Sequence, residues 1–288
     1  MSIGDFIPLY YFFILRSDNM KFTRQELEKQ KSERIGEIRK NNFGSEMKII
    51  EYNNYSDIWI EFQDEYKIKI HTNYSNFKKG NVKNPYDRTV CEIGYIGEGK
   101  YKIKENKGIT KAYETWSNMI QRCYDPYELN KNKNLAYIDC YVCDEWLCYQ
   151  NFAEWYYNNY YDIEGKDLRL DKDILVKGNK IYNPNTCIFV PSRINNLFTK
   201  SDKARGRCLI GVTYRKKDKV FEVKCSYLDE KGKIQRKYLG RYKSEFQAFT
   251  IYKQFKESYI KQIADEYKDL IPTKLYEAMY NYELEIND

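Results

Sequence analysis

The sequence predicts an α+β chain assembled from several small modules, not one large sheet or bundle. Three observations lead there. Apolar residues alternate between Met47 and His71, as strands require. Tyr113, Trp116 and Ile120 recur at i, i+3 and i+7, a helical stripe. Three more strand-like segments crowd into the stretch after residue 205, followed by a capped helix.

The first 19 residues carry an apolar run, Phe6 to Leu15, preceded by Asp5 instead of the basic residues a secretion signal needs. They are either a start-site artefact ahead of Met20 or an apolar arm that docks on something. Thr23 and Glu26 then form a capping box, so residues 1–40 read as an arm plus a helix. From Met47 to His71, Ile58, Ile60 and Phe62 share one face, and Tyr66, Ile68 and Ile70 share a face of the next segment. With the turns at Lys79-Gly80-Asn81 and Asn84-Pro85 and the stretch holding Gly94, Gly97 and Gly99, residues 41–107 read as a small β module.

A helical region opens near Thr110 and a second near Asp144, with Trp146, Tyr149, Ala153 and Tyr156 on one stripe. Strand candidates follow at Leu168–Leu175 and Cys187–Val190, and a helix starts at Pro191-Ser192, completing a module over 108–200. Residues 200–206 read as a linker. Strands are expected at Leu209–Tyr214, Val220–Tyr227 and Ile234–Tyr242, then a helix capped by Ser244 with Gln247, giving a sheet-and-helix module over 205–264. Pro272 separates it from a last helix within 265–288.

Composition narrows the function classes. No run approaches the roughly 18 apolar residues of a spanning helix, so no membrane partner is expected. Eight cysteines without a secretion signal fit reduced cytoplasmic thiols. The net charge is +7, yet residues 205–243 hold 13 Lys/Arg against 4 acids, a local +9, so the rest of the chain is slightly acidic. That concentration suits a polyanion. Tyrosine is in excess, 30 against 16 leucines, which fits either aromatic-rich cores or interfaces.

The phrases Tyr113-Glu-Thr-Trp-Ser-Asn-Met-Ile-Gln-Arg-Cys-Tyr124, Val142-Cys-Asp-Glu-Trp146, Asn151-Phe-Ala-Glu-Trp155, Leu170-Asp-Lys-Asp-Ile174 and Tyr182-Asn-Pro-Asn-Thr-Cys187, through to Ile194-Asn195, resemble phage HNH-type endonucleases. The resemblance covers residues 110–198. It implies a ββα-metal fold in which a histidine acts as general base and a divalent metal stabilises the scissile phosphate. Here that position reads Leu170-Asp171-Lys172-Asp173, and the chain's one histidine is His71. The residual candidates are Asp171 and Asp173, two apart on a strand and so expected on one face, with Asn183 or Asn195. No cofactor is expected, and a divalent metal enters only if nuclease activity survives. Cys140-x-x-Cys143, with Cys123 and Cys187, offers a single zinc knuckle; packed thiols are the simpler expectation.

Gly211-Val-Thr-Tyr-Arg215, Phe221-Glu-Val223 and Tyr238-Leu-Gly-Arg-Tyr242, then a helix bearing Ala248, resemble the Apetala-type (ethylene-response-factor) DNA-binding domain. That resemblance implies a three-stranded sheet in the major groove. By position it offers Arg215, Lys217, Lys219, Lys224, Arg236 and Lys237 for contact.

The expected function is a phage-type accessory protein in the host bacterial cytoplasm that binds without catalysing. The favoured target is a host nuclease-based defence complex of the Gabija kind, whose DNA engagement it would block. The alternatives are a sequence-specific DNA-binding protein and a homing or nicking endonuclease. Trp155, Tyr156, Tyr157, Tyr160 and Tyr161, with Tyr276 and Tyr280, exceed what one helix face can bury, so they are expected to serve self-association or the partner.

Overall fold

The computed structural model describes residues 24–106, 108–131, 137–198, 207–228, 233–286 and 288. The apolar N-terminal run, Thr23 and the 200–206 linker lie outside them. The architecture is α+β, with helices and several small sheets in two compact units that meet in sequence at Thr89/Val90. Among the described residues no helix is long and apolar enough to cross a membrane.

The first unit contains helix α1 (Arg24–Arg34), strands β1 (Ile38–Lys40), β2 (Glu46–Asn54), β3 (Asp57–Phe62) and β4 (Lys69–Thr72), and helix α2 (Tyr74–Lys79). The strands form an antiparallel meander in chain order. Met47, Ile49, Ile58, Ile60 and Phe62 are fully buried against Phe77, as the period of two requires. A bulge between Ile49 and Glu51 shifts the register of β2 and turns Tyr52 inward opposite Ile58. Tyr66 departs from its expected face: it is exposed and stacks on Tyr86 at 3.5 Å. The unit closes on itself through buried Asp87, which accepts from Asn41 Nδ2 at 2.7 Å and Ser45 Oγ at 2.6 Å.

The second unit begins with β5 (Lys104–Glu105), β6 (Gly108–Ile109), α3 (Lys111–Tyr124) and α4 (Pro126–Lys131). Then come β7 (Tyr141–Val142), α5 (Asp144–Leu147), α6 (Tyr149–Asn159), β8 (Leu168–Asp171), β9 (Ile181–Tyr182), β10 (Ile188–Pro191) and α7 (Ser192–Phe198). The chain ends with β11 (Val212–Arg215), β12 (Val220–Leu228), β13 (Ile234–Tyr242), α8 (Glu245–Tyr267) and α9 (Thr273–Tyr280).

Two features redraw the expected modules. Residues 90–106 join the second unit instead of the meander, because their partners are distant in sequence. Tyr95 bridges to Cys148, and Gln150 clasps both the N–H and the carbonyl of Tyr101 at 2.9 Å. Gly97, at φ +74°, leaves room for Cys148 Sγ, which a Cβ there would meet at 2.4 Å. The expected boundary at 264/265 falls inside α8. This helix spans about 34 Å at 1.5 Å per residue and serves two cores. Ala248, Phe249 and Tyr252 pack under the β11–β13 sheet; Ile260, Ile263 and Ala264 enter the larger core with Leu275 and Met279 of α9.

That larger core is aromatic. Trp116 and Trp146 are fully buried, and the Trp116 indole donates to the Trp146 carbonyl at 2.7 Å. The helix expected from Asp144 breaks at Cys148, where Tyr149 N–H turns to the Tyr95 carbonyl. Its apolar stripe stays inward across the break, and Trp146, Tyr149, Ala153 and Tyr156 are all buried.

Candidate functional site: a ββα cleft and a basic sheet face

The strand β8 pairs antiparallel with β10, Asp171 opposite Ile188 and Leu168 opposite Pro191, and α7 follows directly. This ribbon-then-helix unit frames a cleft of about 440 Å³. Asp171, Asp173 and Asn195 all line it, together with Arg122, Arg169, Lys172, Tyr182, Ser192 and Asn196. A second hollow of about 270 Å³ shares Arg122, Arg169 and Leu170 with it and reaches Lys111 and Asn118 along α3. Asn183, also expected near a metal, instead caps its own turn, its Oδ1 accepting from the N–H groups of Asn185 and Thr186.

The expectation that Asp171 and Asp173 share a strand face is overturned. Asp171 ends the strand itself: its Oδ1 accepts from the N–H groups of Asp173 at 2.9 Å and Ile174 at 2.8 Å, an Asx-turn that bends the chain. Asp173 therefore lies in the turn, where its Oδ2 accepts from Lys172 Nζ at 3.0 Å. Burial, with the nearby Asp173 charge adding to it, raises the Asp171 carboxyl to about 6. Burial alone would pull the Lys172 ammonium down, but Asp173 outweighs it and the pKa is raised.

The divalent metal implied by the HNH resemblance does not fit these residues. One oxygen of Asp171 is already taken by two backbone donors, and Asp173 is engaged by an ammonium. Among the described residues no group of three or more His, Cys, Asp and Glu side chains is placed to hold a metal. Of the four cysteines in the zinc alternative, Cys123, Cys140 and Cys187 are buried and Cys143 is half-buried, and burial lifts the thiols of Cys123 and Cys187 to about 12. The imidazole of His71 sits in the first unit, bonded to Asp57 Oδ1 at 2.8 Å and beside Trp59 at 5.1 Å.

The second candidate is the face of the β11–β13 sheet turned away from α8. Cross-strand register sets Thr213 and Arg241 opposite Glu222, Tyr238 opposite Lys224, and Arg236 opposite Ser226. Val223 and Cys225 point the other way, into the core beneath. At the centre of the outer face lies Glu222, its side chain 5% exposed. It accepts from Arg215 at 2.5 Å and Lys224 at 2.8 Å, and Arg241 approaches at 3.5 Å. The hydrogen bonds from Arg215 and Lys224 hold the Glu222 carboxyl well down, at about 2.

Of the expected contact residues, Arg215, Lys224 and Arg236 share this outer face, and Lys217 and Lys219 are exposed in the β11–β12 turn. Lys237 is the exception: it faces α8, its Nζ 5.1 Å from the centre of the Phe255 ring. Adjacent strand residues point to opposite faces, so Arg236 and Lys237 could not both belong. Sequence reasoning passed over Glu222, Arg241 and Tyr238 as members of the face. Alternation with Lys224 and Arg236 was the available signal for Glu222 and Tyr238; Arg241 joins the face only through the register shift at Val223/Lys224, which alternation does not show.

The aromatic clusters are mostly internal. Trp155 lies 4.6 Å from Trp146 and 5.4 Å from Phe189; Tyr156 is buried and stacks on Tyr160 at 4.9 Å. Tyr161 donates to the Phe189 carbonyl at 2.7 Å. Neighbouring helix positions do diverge, but β10 and α5 cover both directions. Tyr157 and Tyr280 remain exposed, at 51% and 40%, each stacked on a second tyrosine: Tyr101 at 5.2 Å and Tyr276 at 5.5 Å. Comparison with protein-family models, curated proteins and solved structures finds no match to this chain.

Proposed function

We propose that this chain acts by binding rather than catalysis, holding duplex DNA on the outer face of the β11–β13 sheet as a phage-type accessory protein. The observation that carries the reading is the arrangement around Glu222. A buried carboxylate fixes Arg215, Lys224 and Arg241 on one face, beside Arg236 and the half-exposed Tyr238. Ordered guanidinium groups suit phosphate and guanine edges, and an exposed ring suits a thymine methyl or sugar. The resemblance to Apetala-type domains supports the same use. The resemblance to HNH endonucleases supplies the scaffold, while the ββα cleft holds two carboxylates already engaged and no histidine.

The second reading gives the inert scaffold a protein partner: a nuclease-based host defence complex, such as a Gabija-type system, whose DNA engagement is blocked by a homo-oligomer of this chain. The stacked surface pairs Tyr101–Tyr157 and Tyr276–Tyr280 favour it, since rigid exposed aromatics make effective interface anchors. Affinity capture of the full chain from co-expressing cells, with and without added nuclease, separates the readings. DNA that co-purifies and is released by salt supports the first. A defence subunit that stays bound after nuclease treatment, and is lost in Tyr157→Ala or Tyr280→Ala, supports the second.

A further inference from the structure

The ββα cleft contains a side chain whose placement the DNA-binding reading does not use. Lys172 follows the last residue of β8, yet its side chain is only 7% exposed. Lysines seldom end in such a place, because a desolvated ammonium is costly unless it is paired. This one is held at both ends. Its Nζ donates to Asp173 Oδ2 and to the Asn179 carbonyl, each at 3.0 Å. Asn179 in turn donates from Nδ2 to the Lys172 carbonyl at 2.7 Å and to the Ile181 carbonyl at 2.7 Å. Seven residues of loop are thereby folded into a socket for one ammonium.

The need for a cation there is electrostatic. Asp171 and Asp173 stand two residues apart at the cleft wall, and Asp171 already carries the burden of its neighbour's charge. Without that ammonium, the Asp173 oxygen it now holds would be open to a cation from solution. We propose that Lys172 is the built-in counter-cation of this cleft: its fixed ammonium balances the Asp171/Asp173 pair and keeps divalent cations out. The proposal is independent of whether the sheet binds DNA. It concerns the chain's own residues and explains why the metal implied by the HNH resemblance does not fit them.

The test compares wild type with Lys172→Met, which keeps an apolar stem, and Lys172→Arg, which keeps a cation. Each is titrated with Mn²⁺ alone and followed by electron paramagnetic resonance and calorimetry. Wild type and Lys172→Arg are expected to show no saturable binding. Lys172→Met is expected to bind Mn²⁺ at least tenfold more tightly than wild type, and to lose that binding when Asp173→Asn is added. Wild type that binds Mn²⁺ as well as Lys172→Met overturns the proposal, as does a folded Lys172→Met that gains nothing. If Lys172→Met does not fold, Asp173→Asn gives a second readout through the ¹³Cε titration of Lys172 by NMR. Losing its partner should lower the midpoint; an unchanged midpoint also overturns the proposal.

Discussion

Removing charge from the sheet face without disturbing Glu222 isolates polyanion binding from folding. Arg215 and Lys224 are poor choices, because either change strips a buried carboxylate of a donor. Lys217, Lys219 and Arg236 are exposed, and none of them bonds to Glu222. Lys219 sits at φ +52°, so asparagine, which tolerates that region, is its suitable replacement. If Arg215, Lys217, Lys219, Lys224 and Arg236 each neutralise a phosphate, log Kd should change with log salt at a slope of about 4.5. Raising salt from 50 to 200 mM then weakens binding roughly 500-fold. In Lys217→Gln, Lys219→Asn, Arg236→Gln the slope falls to about 1.8 and the same change costs only about 12-fold. Fluorescence anisotropy on a labelled duplex, with circular dichroism to verify folding, measures both. A folded triple variant that keeps the wild-type slope would refute the assignment of this face.

Three further outcomes follow from individual contacts. Since the folded-state pKa of Glu222 is depressed, its contribution is present above the unfolded value near 4.5 and lost as pH falls towards about 2. Glu222→Gln should thus be less thermally stable than wild type at pH 7, with the gap closing in acid melts near pH 2. Asp171 has the opposite sign: its pKa is raised to about 6, so its contribution is present below the unfolded value and lost as pH rises through 6. Asp171→Asn keeps an acceptor for the Asx-turn and should be more stable than wild type at pH 8 by on the order of 1–3 kcal/mol, but not at pH 4, in urea titrations. Trp116→Phe leaves a void beside fully buried neighbours and orphans the Trp146 carbonyl; urea unfolding should report a loss of about 2–4 kcal/mol, and a loss under 1 kcal/mol would contradict the packing described.

Local signals carried much of the fold. The meander, the three strands after residue 205 and the Ser244 cap were legible because side-chain alternation and capping act over a few residues. The ribbon before α7 was legible as two strand candidates, although the first, expected to run to Leu175, stops at the Asp171 turn. Module boundaries were not, since they depend on distant partners. Residues 95–101 belong with α6 because of Cys148 and Gln150, about 50 positions later. The shared helix α8 gives no sign in its own stripe that it serves two cores. The cleft candidates Asp171, Asp173 and Asn195 were named from sequence and do converge. The burial of Lys172 was hidden, because its socket is made by Asn179 after the chain turns. The tyrosine excess fits cores and surface alike; most of the named aromatics pack in the core, as Trp155, Tyr156 and Tyr160 around Phe189 make plain.

One measurement meets the central claim most directly. A labelled duplex is incubated with the full chain in Mg²⁺ or Mn²⁺, its binding is followed by anisotropy, and the same sample is then run on a denaturing gel. Binding without catalysis predicts a salt-sensitive anisotropy rise and full-length strands at every time point. Nicked or cleaved product that disappears in Asp171→Ala, or an anisotropy that never rises at low salt, would contradict it.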